Sequence, residues 1–225
     1  MNPADDTSQL RRSPVHGRAE PSPAADPPAS ASRVDGGPRG GYSVAMTDRS
    51  ERRRFGVKGP AAEAWLAALG FVVPAGANQW VASGDALLCR LATSEFLVEE
   101  LAHGAGRVTA AAEQLASASR PPSVYPVARH DLVMSLRGLA LGDLLRQICG
   151  VDFAPFLLGP NSSAGPLVLT SMIGVGVVAV PRREAGDIEL LLWLDPSFAH
   201  YFWTTLEGLI SDLEGGEPRE KPNCT

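Results

Sequence analysis

An α+β fold is predicted, made of two pseudo-repeated β-α-β-β-α units in one compact domain, and three observations predict it. Short apolar runs rich in Val, Leu and Phe alternate with Gly, Asp and Ser turn signals, the pattern of hairpin strands. Helical periodicities interleave with those runs and are closed by Gly or Pro. The order of strand, basic-glycine turn and helix at Lys58-Gly59-Pro60-Ala61 recurs at Arg137-Gly138-Leu139-Ala140, about 79 residues further on. The same offset lays Arg90-Leu91 on Leu169-Thr170.

The elements follow in order. Phe55 to Gly59 is a short strand ending in a glycine turn. Pro60 suits a first helical turn, where its missing N–H is not needed. Ala61, Trp65, Leu66 and Leu69 share one helix face, and Gly70 closes the helix. Phe71-Val72-Val73-Pro74 leaves it extended. Trp80–Ser83, Ala86–Leu91 and Phe96–Glu99 are hairpin strands, separated by Gly84-Asp85 and by Ser94-Glu95. Arg107 to Ala118 is an Ala-rich helix that Pro121-Pro122 ends. In the second half, Asp131 to Leu136 is a strand and Leu139 to Cys149 an amphipathic helix closed by Gly150. Leu167–Thr170, Gly176–Val180 and Ile188–Leu194 are strands, and Asp195 or Ser197 caps a last helix reaching Leu213.

The flanks are different. Residues 1–45 hold seven Pro and five Gly, with one Tyr and no Phe, Trp, Ile or Cys. Such a segment buries too little apolar surface to offset its ordering entropy. Met46 opens MTDRSERRRFGVKGP, a normal start for a compact protein, so the upstream stretch is either a disordered extension or precedes the true start. The chain therefore divides into a disordered N-terminal extension over 1–53, the α+β domain over 54–213 and a polar tail over 214–225.

Composition narrows the function. Net charge is −5, and residues 55–225 alone carry −7. An acidic body argues against a nucleic-acid footprint, which needs a basic face. Only Lys58 and Lys221 are lysines. Cys89, Cys149 and Cys224 are odd in number and widely spaced, the pattern of thiols in a reducing compartment. The longest apolar run, Leu167 to Val180, is broken by Gly174 and Gly176 and is too short to span a membrane. No secretory h-region follows the N-terminal basic residues, so the cytoplasm is the expected location.

A search for chemistry finds no constellation. Gly56-x-x-Gly59 precedes a helix, but neither GxGxxG nor GxxxxGK[ST] occurs, and a strand bend accounts for Gly174-Val175-Gly176. None of His16, His103, His130 and His200 pairs with a second ligand at helical spacing. Nothing ties Cys149 to His200, and GxSxG is absent. The expected site residues are therefore none for catalysis, cofactor or metal. The most distinctive local feature is aromatic: Phe198, Tyr201, Phe202 and Trp203 lie within six residues, with Trp193 just upstream. They cannot share one helix face, so the helix either buries two faces in its own core or offers one to another chain. Tyr201 and Trp203 are the expected interface residues.

Several stretches resemble a known family. Arg54-Phe55-Gly56-Val57-Lys58-Gly59-Pro60 with Ala64-Trp65-Leu66 and Gly70 is similar to the opening of bacterial sarcosine oxidase gamma subunits. Leu91 with Glu95-Phe96-Leu97-Val98-Glu99 resembles a strand of that family, with Ala92-Thr93-Ser94 in place of its glycine-containing version. Gly138, Ala140, Leu144-Leu145 and Cys149 resemble its second repeat. Ser197-Phe198-Ala199-His200-Tyr201-Phe202-Trp203, the most specific match, resembles its closing helix. The resemblance covers 54–213; the N-terminal 45 residues have no counterpart in it.

The resemblance implies an aminomethyltransferase-like fold and a non-catalytic structural subunit of a heterotetrameric flavin-dependent oxidase. Such a complex demethylates sarcosine to glycine and passes the one-carbon unit to tetrahydrofolate. The partners it implies are alpha, beta and delta subunits, which would carry FAD, FMN, NAD, tetrahydrofolate and zinc, with no cofactor on this chain. The oxidised substrate could equally be another N-methyl amino acid, such as N-methylglutamate. Two alternatives stay open: a free-standing folate-binding protein of the aminomethyltransferase superfamily, and a scaffold of some other complex. A pterin would need a carboxylate at a pocket floor, and Glu95 and Asp195 are the candidates.

Overall fold

The computed structural model describes residues 43–101, 106–157, 163–184 and 187–215. The expectations for residues 1–42 and for the tail beyond 215, with His16, His103, Lys221 and Cys224, lie outside these. The first half of the chain forms β1 (Ala45–Asp48), β2 (Arg54–Lys58), α1 (Ala62–Ala68), β3 (Gln79–Ser83), β4 (Ala86–Ala92), β5 (Glu95–Glu100), α2 (Arg107–Ala116) and β6 (Tyr125–Val127). The second half forms β7 (Leu132–Arg137), α3 (Leu141–Ile148), α4 (Ala154–Leu157), β8 (Ala164–Pro166), β9 (Val168–Met172), β10 (Val175–Glu184), β11 (Asp187–Leu194) and α5 (Ala199–Gly215). A single 3-10 turn, Pro196–Phe198, leads into α5.

The strands build two antiparallel sheets, ordered β1-β7-β11-β10-β9 and β6-β2-β5-β4-β3-β8. Side chains alternate across each strand, so every central strand supplies two layers. Leu190, Leu192 and Leu194 of β11 face α3 and α5, while Leu191 and Trp193 face the other sheet. Likewise Phe96 and Val98 of β5 face α1 and α2, and Leu97 faces across. The result is four layers: helices, sheet, sheet, helices. This is a mixed, sheet-rich α+β architecture. No helix among the described residues is long and apolar enough to cross a membrane.

The sheets exchange their leading strands. β1 precedes β2 in the chain but pairs with β7, whereas β6 precedes β7 but pairs with β2. The two glycine turns sit at these exchange points. Gly59 has φ 124° and Gly138 φ 142°, a region that L side chains avoid. A Cβ on Gly59 would collide with the Ser123 carbonyl oxygen, and one on Gly138 with that of Ser43. The same two carbonyls accept from the N–H of Ala61 and of Ala140, each at 3.3 Å. Each exchanged strand is thus locked to the turn that opens the facing helix.

Several boundaries differ from the sequence reading. The fold begins ahead of residue 54: β1 is a strand and Val44 is buried in the core under α3 and α5. Three strands, β3 to β5, separate α1 from α2 in the first half, and four, β8 to β11, separate α4 from α5 in the second, where the β-α-β-β-α unit has two. β6, β8 and α4 carry no usable signal; Tyr-Pro-Val and Ala-Gly-Pro lack strand composition and survive as short sheet edges. β10 runs on through Pro181, which is tolerated because its partner β9 stops pairing at Ala179. α5 continues past Leu213 to Gly215, and Asp195 caps the 3-10 turn ahead of it, its Oδ1 accepting from Ser197 N–H at 2.8 Å.

Gly138→Ala is expected to cost at least about 2 kcal/mol, from the positive φ and the displaced Ser43 carbonyl together. Gly142→Ala, inside α3 with open space at its Cβ, is expected to stabilise by about 0.5–1 kcal/mol. Urea midpoints of the two variants measure both; equal midpoints would refute the locking role of the turn.

Candidate functional site

The layer between the sheets holds the residues with chemical potential. One end is apolar, packed from Trp80, Leu87, Cys89, Leu97, Leu191 and Trp193. Burial, and next the nearby Glu99, push the Cys89 thiol well above its ordinary range, so it is an unreactive core thiol.

The other end is ionic. Glu189 has no exposed surface. Its Oε2 accepts from Arg182 Nε at 2.6 Å, and its Oε1 from Arg137 Nε at 2.9 Å, Arg137 Nη2 at 2.7 Å and Ser135 Oγ at 2.5 Å. Burial alone would raise this carboxyl's pKa, but Arg182, Ser135 and Arg137 outweigh it and hold the group below the usual range. Glu99, also without exposed surface, accepts from Trp193 Nε1 at 2.6 Å. Arg54 and Arg52 approach it only to 3.8 and 3.7 Å. For Glu99 burial wins over Arg54 and Trp193, and its pKa is raised. The two glutamates differ because one is saturated with donors and the other is not.

The residues singled out from sequence are dispersed. Glu95 opens β5 and accepts from Arg129 Nη2 at 2.8 Å, so it is a surface ion pair and no pocket floor. Asp195 is exposed, and the Ser197 hydroxyl and N–H lower its pKa. It also lines the edge of an open cleft of about 490 Å³, whose wall includes Leu169, Val178, Trp193 and Asp131. Cys149 Sγ contacts Thr170 Oγ1 at 3.6 Å and the Val151 N–H at 3.4 Å, while His200 lies exposed in the first turn of α5. His130 is exposed before β7. No group of three or more His, Cys, Asp or Glu among the described residues could hold a metal.

The aromatic cluster divides. Phe202 is fully buried with Leu206 and Ile210, and Trp193 belongs to the layer between the sheets. Trp203 is half-buried against the core and donates Nε1–H to Glu207 at 2.7 Å. Phe198 and Tyr201 are 46% and 48% exposed, and Tyr201 Oη donates to the Ile173 carbonyl at 3.0 Å. The sequence reading missed Glu99 and Glu189. A charged residue at an alternating position inside an otherwise apolar strand was the available signal, as in Glu189 ahead of Leu191 and Trp193.

Comparison with known proteins gives a fold. No protein-family model matches the chain, and no curated protein does. The structure is similar to a chain of the heterotetrameric sarcosine oxidase from Corynebacterium sp. U-96 in complex with pyrrole 2-carboxylate. The two are 21% identical over 78% of this chain and 87% of that one, with a TM-score of 0.58. Similarity to the glycine cleavage system aminomethyltransferase T from Bartonella henselae is looser: 14% identity, 75% of this chain, TM-score 0.47. The chain spans 46% of that protein's length. At this identity the first likeness establishes a shared fold.

Glu189→Gln is expected to destabilise by about 3–5 kcal/mol at neutral pH, because Arg182 and Arg137 lose their shared counter-charge. The sign with pH follows from the lowered pKa: the contribution of Glu189 is complete above the unfolded-state value of about 4.3 and is lost as pH falls through the folded value. Urea midpoints followed from about pH 7 to pH 3 should fall less for Glu189→Gln than for the parent. Parallel profiles would show that the Glu189 cluster does not set the acid limb.

Proposed function

We propose that this chain is a non-catalytic structural subunit of a heterotetrameric flavin-dependent sarcosine oxidase. The observation that carries the reading is the fold shared with a chain of such an enzyme over 87% of that chain's length. Three further features support it. The two carboxylates buried between the sheets are engaged by their neighbours, Glu189 by Arg182, Arg137 and Ser135 and Glu99 by Trp193. Phe198 and Tyr201 offer aromatic surface at the start of α5, the segment whose sequence most resembles the gamma-subunit family. The twin glycine turns and the parallel strand orders support the reading of two pseudo-repeats. Within this proposal alpha, beta and delta subunits are the partners, and the flavins, NAD, tetrahydrofolate and zinc reside on them.

A second reading, a free-standing folate-binding protein, is favoured by one observation. Asp195 and Asp131 stand at a cleft that Trp193 helps to line, an acidic edge beside an aromatic wall of the kind a pterin could use. Glu95, held by Arg129, has no part in it.

Co-expression of the C-terminally tagged chain with the genes flanking its own separates the readings. The subunit reading expects large partner chains and flavin absorption bands in the purified material. A colourless single chain that binds tetrahydrofolate would replace that reading with the second. Within the complex, Tyr201→Ala should reduce partner recovery by tenfold or more, a loss of about 1–2 kcal/mol for an aromatic anchor, while shifting the melting temperature little. Trp203→Ala, whose ring packs on the core, should lower both. Undiminished recovery with Tyr201→Ala would remove α5 from the interface.

A further inference from the structure

Gly176 is a glycine that its own backbone does not require. It lies inside β10 opposite Ser171 of β9, and unlike Gly59 and Gly138 it has no positive φ. A glycine in mid-strand weakens the strand and often marks a place where another group comes close. A Cβ at Gly176 would meet no atom within 4 Å, so no described residue fills the space.

Register accounts for the gap. Leu169, Val178, Trp193 and Val133 stand opposite one another across β9, β10, β11 and β7, on the face that looks toward the other sheet. Trp193 and Val133 are buried in that layer, whereas Leu169, at the end of the row, is 52% exposed. Two residues further along each strand come Ser171, Gly176, Asp195 and Asp131. Alternation sets them on the same face, and the row is hollow where Gly176 has no side chain. This hollow is the open cleft of about 490 Å³, with Leu169, Val178 and Trp193 as its apolar floor.

The wall of the cleft is acidic. Asp131 and Asp195 line it, and no basic side chain among the described residues does. They follow directly on the last ladder pair, Leu132 and Leu194, and like charges on facing strand ends repel. Arg54 offsets part of this from the interior: its Nε lies 4.0 Å from Asp131 Oδ2, but its side chain is sealed at 2% exposure and is shared with Glu99. Asp195 faces solvent, with Oδ1 accepting from the Ser197 N–H. A basic group arriving from solvent would meet both carboxylates, and a guanidinium fork suits two acceptors. The exposed apolar surface also continues beyond the cleft, because Asp195 caps the turn that carries Phe198, and Tyr201 follows in α5. A small molecule in the cleft would leave those rings wet, whereas a segment of another protein covers both.

We propose that this cleft receives a segment of a partner chain in which an arginine or lysine, set beside an apolar residue, enters between Asp131 and Asp195. The inference rests on the subunit reading and adds to it the chemistry of the partner's contact.

Co-purification of the tagged full chain with the products of its flanking genes tests it through two variants. Gly176→Val fills the hollow row with a better strand former, so the melting temperature of the chain should rise by about 1–4 °C. Partner recovery with it should fall about tenfold, because the added side chain occupies the partner's place. Asp195→Asn keeps the cap and removes the charge. It should lower recovery roughly three- to tenfold and flatten the loss of recovery between about 50 and 500 mM salt. A photo-crosslinking residue in place of Leu169 should capture a partner peptide that contains arginine or lysine. If the parent chain recovers no partner, the subunit reading and this inference fall together. If the parent recovers its partner and both variants recover it equally, the subunit reading stands and the docking site is overturned, as it is if Gly176→Val abolishes tetrahydrofolate binding and leaves assembly intact. Recovery lost with Gly176→Val but not with Asp195→Asn would overturn the basic contact. If Gly176→Val does not fold, Asp195→Asn and the crosslink decide.

Discussion

Two carboxylates sit where water cannot reach them, and the geometry around them depends on keeping that tolerable. Apolar packing between two sheets is nearly indifferent to how far one slides over the other. The Glu99–Trp193 bond is not, because it joins β5 of one sheet to β11 of the other at 2.6 Å. Arg54 adds a second crossing: its Nη2 donates to the Asp131 carbonyl at 2.5 Å just ahead of β7. Glu189 acts within one sheet, tying β7, β11 and β10 through Arg137, Ser135 and Arg182. Directional bonds in a low-dielectric layer thus set the register that hydrophobic burial leaves undetermined.

The exchange of β1 and β6 makes the two halves inseparable. Each glycine turn packs against a carbonyl from the segment that leads into the opposite half, Ser43 ahead of β2 for Gly138 and Ser123 ahead of β7 for Gly59. Each sheet also owes its edge strand to the segment preceding the opposite half. A boundary drawn at residue 54 cuts through this arrangement, because Val44 and Met46 pack on the core under α3 and α5.

Much of the fold was legible because local and tertiary demands agree. Trp65 and Leu66 lie on one helix face that Gly70 ends, and they are buried. β3, β4, β5 and β11 were recognisable from apolar runs bounded by turn residues. Where the demands diverge, sequence reading fails. Ala-Met-Thr-Asp is a strand only because β7 offers it a ladder, and Tyr-Pro-Val only because β2 does. The candidate carboxylates were sought near turns, which selects Glu95 and Asp195, both committed to surface roles. The carboxylates that organise the interior lie in mid-strand, and register alone reveals their partners: Arg182 faces Glu189 across the β10–β11 hairpin.

α5 shows how far an interface argument extends. Phe202, Leu206 and Ile210 repeat every four residues and are spent on the core. Phe198 and Tyr201, three apart, lie together on a different face. Continuing that face reaches Thr205, Gly208 and Asp212, none of which is apolar. The exposed aromatic surface is therefore confined to the first turn, and Tyr201 ties it to the β9–β10 hairpin through Ile173. A partner gripping the full helix would need an apolar stripe along its length. A partner that meets the end of the sheet, where the helix begins and the hairpin turns, needs only the two rings and the rigid corner that holds them.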